Sequence, residues 1–154
     1  MKQFVSSVVL IVAGLAFASS DAPVTDCKNG VSLPLQTQIS GCEQAPCVVK
    51  KGSTVVLNLT FRAPYYIEEL RPEAVAIISG ISIIYPVAEP DGCKSLVNST
   101  CPINADEIVH YQLQVPILSS YPTVSGRIKF TIYDEFNKGV TCFVVAARIV
   151  AAGS

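Results

Sequence analysis

The sequence predicts an all-β chain folded as an antiparallel β-sandwich. Three observations carry that prediction. Apolar and polar residues alternate with a period of two in several separate runs, so that one face of each run is offered to a core and the other to water. Turn chemistry punctuates the runs at Lys51-Gly52, Ala63-Pro64, Pro90-Asp91-Gly92, Tyr121-Pro122, Ser125-Gly126 and Asn137-Lys138-Gly139, the spacing of short strands joined by turns. No long helical stripe competes: "YYIEELRPEA" has room for one turn, which Pro72 stops.

The first segment, "MKQFVSSVVLIVAGLAFASS", reads as a targeting signal. Lys2 supplies a positive start, Phe4 to Phe17 an apolar stretch too short to span a bilayer, and Ala16-Phe17-Ala18 the small residues of a cleavage site. Residues 1–18 are expected to be a signal peptide and residues 19–154 one domain. That domain carries ten basic against twelve acidic side chains, a net charge of −2. Lys50-Lys51, a solvated turn before Gly52, is its only basic pair, so the clustered cations that a nucleic acid requires are missing.

In "STVVLNLTF" the residues Val55, Leu57, Leu59 and Phe61 point one way, with Asn58 and Thr60 opposite. The run "AVAIISGISII" reads as an apolar strand leading into "YPVAEPDGCK", where Pro86, Pro90 and Gly92 break strand and helix alike. "EIVHYQLQVP" sets Val109, Tyr111, Leu113 and Val115 against His110, Gln112 and Gln114. "GRIKFTIYDE" sets Ile128, Phe130 and Ile132 against Arg127, Lys129, Thr131 and Tyr133. "VTCFVVAARIV" is apolar on both faces apart from Thr141 and Arg148, as in a strand covered on both sides.

All six cysteines follow the signal segment. An even count on a secreted chain reads as three disulfides, with fifteen pairings open. Proximity favours Cys42 with Cys47 and Cys93 with Cys101, which leaves Cys27 with Cys142 to tie the start of the domain to its end. Closing that longest loop contributes about 4–5 kcal/mol in the chain-entropy account. Zinc fits poorly, because there is no Cys-x-x-Cys and His110 is the single histidine. The triplets Asn58-Leu59-Thr60 and Asn98-Ser99-Thr100 are glycosylation acceptors, which places both asparagines in water.

No catalytic constellation emerges, and no cofactor or metal is implied. A nucleophile would depend on His110 alone, and no Gly-x-Ser-x-Gly elbow exists. The pairs Glu68-Glu69, Asp106-Glu107 and Asp134-Glu135 are adjacent in sequence, which on a strand turns the two carboxylates to opposite faces. Inner faces of Val, Ile and Leu can pack shut or stand apart around an apolar cavity; composition by itself favours the closed core.

Further residues narrow the choice. "EPDGCK" at Glu89–Lys94, "CPI" at Cys101–Ile103, Pro116 and Tyr121-Pro122 together resemble the Niemann-Pick type C2 family of soluble sterol carriers. This is part of the lipid-recognition, or ML-domain, group of immunoglobulin-like β-sandwiches. Pro46 between Cys42 and Cys47, "KGS" at Lys51–Ser53, the Asn58 sequon with Phe61 after it, Gly80, and Cys142 before "RIV" extend the similarity from Asp26 to Val150.

The resemblance implies the same disulfide pairing, and two sheets splayed around an apolar tunnel that accepts one sterol or similar lipid. It implies that Tyr85 and Ile117 line the tunnel and that Tyr121 guards its mouth. Pro116, Ile83, Phe130, Phe143, Ile39 and Val55 complete the implied ligand-binding set. Tyr85 stands where the mammalian carriers have Phe, and Phe130 and Phe143 where they have Trp. These changes imply a wider tunnel or one holding a hydrogen bond, open to fatty acids and small semiochemicals. The implied protein is a monomeric carrier, secreted or delivered to the lysosomal lumen, that hands its lipid to a membrane or receptor. The alternative is a chemosensory or innate-immune binder of fatty acids, semiochemicals or bacterial glycolipid; for a phosphorylated glycolipid the chain offers only scattered Lys94, Lys138 and Arg148.

Overall fold

A computed structural model describes Gly14 and residues 20–153; the expected signal segment, residues 1–18, lies outside the described residues apart from Gly14. The strands are β1 (Gln36–Ile39), β2 (Cys47–Lys50), β3 (Thr54–Arg62), β4 (Arg71–Ile78), β5 (Ile81–Tyr85), β6 (Leu96–Val97), β7 (Ile108–Pro116), β8 (Ser125–Tyr133) and β9 (Gly139–Val150). A short 3-10 turn, Gly92–Ser95, precedes β6. They form an immunoglobulin-like sandwich of a four-stranded sheet, β1-β3-β7-β6, and a five-stranded sheet, β2-β9-β8-β4-β5. Every pairing is antiparallel except β2 with β9, which is parallel. The exception arises because the chain changes sheet between β1 and β2. The Cys42–Cys47 disulfide bridges that crossing, so the two sheets are joined by a covalent strut. Cys27–Cys142 and Cys93–Cys101 complete the pairing that proximity favours.

The alternation in β3 and β7 sets their register. Leu57 faces Leu113, Leu59 faces Tyr111 and Phe61 faces Val109 on the inner side. On the outer side Gln112 Nε2 donates to Asn58 Oδ1 at 3.0 Å, and Thr60 Oγ1 lies 3.0 Å from His110 Nδ1. The single histidine thus serves a cross-strand hydrogen bond on an exposed face.

Two stretches depart from the reading of the sequence. "AVAIISGISII" is a hairpin rather than one strand: β4 turns into β5 at Ser79 and Gly80, both with positive φ, the conformation a two-residue hairpin needs. Thr131, expected to face water, is buried. The N-terminal segment crosses that outer face, pairing Thr25 with Val144 and accepting the Cys142 N–H at Ser32, and Thr131 Oγ1 sits 3.1 Å from Cys142 Sγ beneath it. Pro72 lies within β4, at a point β5 does not reach, where a missing N–H breaks no ladder.

The sandwich is packed shut at one end. Leu59, Phe61, Ile67, Ile103, Val109, Tyr111 and Ile132 are each no more than 1% exposed. Reciprocal hydrogen bonds of 2.9 and 2.8 Å between Ile67 and Ile103 close the loops over them. At the same end Asp134, itself buried, accepts the N–H groups of Phe136 and Lys138 at 2.9 Å each and the Tyr65 hydroxyl at 2.6 Å. Lys138 Nζ stands 5.0 Å from the centre of the Tyr65 ring. Burial alone would raise the Asp134 carboxyl, but these hydrogen bonds and the Lys138 charge hold it below its ordinary value. Burial, joined by the hydrogen bond to Asp134, pushes the Tyr65 phenol far up.

Asp134→Ala strands three donors and is expected to cost about 2–4 kcal/mol of folding stability. The folded carboxyl titrates below the unfolded one, so its contribution is complete above the unfolded value of about 4 and fades as pH falls through the folded value. Urea unfolding across pH 2–7 should show wild type and variant converging toward the acid end. Tyr111 gives the opposite expectation. Its buried hydroxyl lies near the Ser95 side chain but makes no well-formed hydrogen bond, so Tyr111→Phe should leave stability unchanged or raise it by about 1 kcal/mol in the same assay.

Candidate functional site

At the other end the sheets part around a cavity of about 360 Å³. Ile39 of β1, Val55 and Leu57 of β3, and Leu113 and Val115 of β7 form one wall. Ala76 and Ile78 of β4, Ile128 and Phe130 of β8, and Phe143, Val145, Ala147 and Ile149 of β9 form the other. Each strand contributes alternate residues, as the pleat dictates. Toward the mouth the wall is made mainly of Ala, Val and Ile, with Leu57, Leu113, Phe130 and Phe143 deeper, where it meets the packed end. Gly126 shapes this wall from within its sheet: a Cβ there would come within 2.7 Å of the Ile77 carbonyl oxygen, so glycine lets β8 run this close to β4. The closed core that composition favours is therefore found at one end only, and a cavity opens at the other.

The floor is aromatic. The Phe130 and Phe143 rings lie 5.6 Å apart, and Tyr111 backs Phe130 at 6.2 Å. The mouth is formed by Tyr85 to Ala88 after β5 and by Pro116 to Tyr121 after β7. There the Tyr85 and Tyr121 rings meet edge to face at 5.2 Å, both half-buried. This geometry suits aromatic quadrupoles and leaves each ring an apolar body with a polar tip. Ile117 is held by its backbone, donating to Ser53 O at 2.8 Å and accepting from Gly52 N at 2.6 Å, which drives its side chain inward. The polar residues of the wall, Gln114 and Arg127, are exposed. A cavity so lined excludes water and fits an apolar ligand.

The "EPDGCK" stretch braces this mouth. Glu89 Oε1 accepts the Asp91 N–H and Asp91 Oδ1 accepts the Cys93 N–H, both at 3.1 Å. Gly92 packs on Leu70, whose Cβ would lie 2.8 Å from any side chain added at that position. Cys93–Cys101 then pins the turn.

Of the nine residues implied as ligand-binding, the fold brings eight to the cavity: Tyr85, Ile117, Tyr121, Pro116, Phe130, Phe143, Ile39 and Val55. Ile83 is not among them and is corrected. It shares the face of Tyr85, but β5 pairs with β4 alone, so Ile83 stands on the sheet edge, 41% exposed, outside the wall. Ala76, Ile78, Val145, Ala147 and Ile149 line the cavity without having been singled out. In β9 the signal was hidden because both faces are apolar, so period two shows no inner side. Of the two acceptor asparagines, Asn98 is exposed; Asn58 is half-buried on the outward face, its Oδ1 engaged and its Nδ2, the atom a glycan takes, left over.

Comparison with known proteins follows the same lines. Residues 21–149 match the family model described as ML domain. The mouse protein named NPC intracellular cholesterol transporter 2 is 28% identical over 151 residues, 97% of this chain and 99% of its own length. The crystal structure of a Niemann-Pick type C2 protein from Japanese carpenter ant superposes with a TM-score of 0.74 at 21% identity, covering 82% of this chain and 98% of that one. Chicken MD-1 complexed with lipid IVa superposes with a TM-score of 0.53 at 18% identity, covering 80% of this chain and 85% of that one. At these identities the two superpositions speak to the fold.

Filling the hollow tests its use. Ile117→Phe places a ring in the neck without disturbing the backbone bonds at Gly52 and Ser53. Its affinity for an apolar probe should fall by about tenfold or more, roughly 1.4 kcal/mol, while the thermal midpoint stays within a few degrees of wild type.

Proposed function

The chain belongs to the ML domain family, and from that membership and the shape of its hollow we propose a carrier that encloses one sterol or similar apolar lipid between its sheets and transfers it. The observation that carries this reading is the cavity itself: about 360 Å³, apolar on every inner face, sealed at one end and framed by two tyrosines at the other. Binding is driven by removing ligand surface from water, at roughly 25 cal/mol per Å². The wall offers no inward charge, so a buried ionised group would go unpaired at high cost. A ligand with a small polar tip at the tyrosine mouth meets no such penalty. Release needs only that the mouth meet a surface as apolar as the cavity.

Two of the relatives bear on the ligand class. The mouse protein is named as a cholesterol transporter, and chicken MD-1 was solved with lipid IVa. Three disulfides fit an oxidising compartment, and among the described residues no helix is long and apolar enough to cross a membrane. We assign the protein to the secretory route, as extracellular or lysosomal-lumen, glycosylated at Asn98 and Asn58, and acting as a monomer that meets a membrane or receptor at delivery. The glycolipid alternative finds one cation beside the cavity, Lys94, with the carboxylate of Glu89 in the same recess, while Lys138 lies over Tyr65 at the closed end.

Titration with a fluorescent sterol should give saturable one-to-one binding, and native mass spectrometry of the secreted protein should find one apolar small molecule per chain. Failure of every apolar probe, sterol and fatty acyl alike, to bind would refute the carrier reading.

A further inference from the structure

The cavity has a polar neighbour. A recess of about 410 Å³ lies beside it, and Ala88, Leu113 and Gln114 border both spaces. The recess exists because β6 is only two residues long and covers β7 at Tyr111 and His110 alone. From Gln112 onward that edge of β7 has no strand neighbour, since the chain that would have continued β6 winds instead into the 3-10 turn Gly92–Ser95. Residues 86–90, which cross the gap, make no backbone–backbone hydrogen bond. The apolar cavity and the polar recess thus adjoin at Ala88, Leu113 and Gln114, beside a strand edge that has no strand neighbour.

The recess has a definite chemistry. It presents the ammonium of Lys94, the carboxylate of Glu89, the Ser95 hydroxyl and the amides of Gln112 and Gln114. Among the described residues the one ion pair is Arg71 with Glu73, so Lys94 and Glu89 are paired neither with each other nor elsewhere. Glu89 gives Oε1 to the Asp91 N–H and keeps Oε2. The Tyr111 hydroxyl is buried next to Ser95 and Glu89 without a well-formed hydrogen bond. One cation without an ion partner, one carboxylate with an oxygen to spare and the amide of Gln114 stand beside a lipid-sized hollow, while Gln112 is already engaged with Asn58.

We propose that the recess is a head-group subsite, so that the protein takes an amphiphile with its single apolar body in the cavity and a zwitterionic head in the recess, the anionic group on Lys94 and the cationic group on Glu89. This rests on the carrier reading and narrows its ligand class. A free fatty acid would gain Lys94 but be opposed by Glu89, and a lipid without a head would use neither. Only a head carrying both signs satisfies the pair together.

The test compares two probes with one acyl chain. Delipidated full-length protein is titrated with oleoyl lysophosphatidylcholine and with methyl oleate, each below its micelle concentration, with a fluorescent sterol as reference. The zwitterionic probe should bind about tenfold tighter than the ester. Lys94→Ala and Glu89→Gln should each remove most of that advantage while leaving the affinity for methyl oleate within twofold. Equal affinities in the native protein, or variants that shift both probes alike, would overturn the subsite. Protein that binds the sterol but neither oleoyl probe would overturn it too, with the carrier reading intact. Protein that binds none of the three defeats both.

Discussion

The two sheets are clamped together at one end and held apart at the other, and the rest of the molecule follows from that asymmetry. Sheets in a sandwich normally approach to about 10 Å with inner side chains interdigitated. Here Leu59, Phe61, Tyr111 and Ile132 achieve that at one end, while at the other the inner faces around Ala76 and Ala147 enclose a cavity. The bracing is distributed to match. The Asp134 network and the Cys27–Cys142 bridge reinforce the packed half, and Cys42–Cys47 spans the sheets beside the void. A domain of this length has enough surface to bury that it need not fill every part of its core.

The division of polarity is equally sharp. Side chains aimed into the hollow carry no charge, and polar groups appear where the wall meets solvent: the hydroxyls of Tyr85 and Tyr121, then Gln114 and Arg127, then the recess beyond Ala88. Affinity and orientation are thus handled by different parts of the structure. The apolar interior supplies a non-directional driving force, and the rim supplies the directional contacts that distinguish one apolar ligand from another.

Much of this was legible in the residues. β3 and β7 show their inner faces because Asn58, Thr60, His110 and Gln112 mark the outer ones. The cysteine spacing favoured the bridges that form. Eight of nine implied cavity residues reach the cavity because strand parity and turn position together decide where a side chain points. What stayed hidden has physical reasons. The hairpin at Ser79-Gly80 lies inside an apolar run interrupted only by Ser79, Gly80 and Ser82, with no charge or proline to mark the turn. Thr131 is buried by a segment a hundred residues away in sequence, and Ile83 misses the wall because β5 ends the sheet, a fact of strand order that local pattern does not contain. Whether the sheets close or gape depends on which small residues face one another across 10 Å, and that too is a property of register rather than composition.

The hollow also bears on the life of the folded chain. An unfilled apolar space forfeits the dispersion contacts its lining would otherwise make, so the empty protein lacks part of its own interior until a guest supplies it. Whatever binds the native state and not the unfolded one shifts the folding balance by mass action. Occupancy and lifetime are then coupled: vacant molecules open more often and fall to proteases sooner, and the surviving pool is enriched in those already loaded.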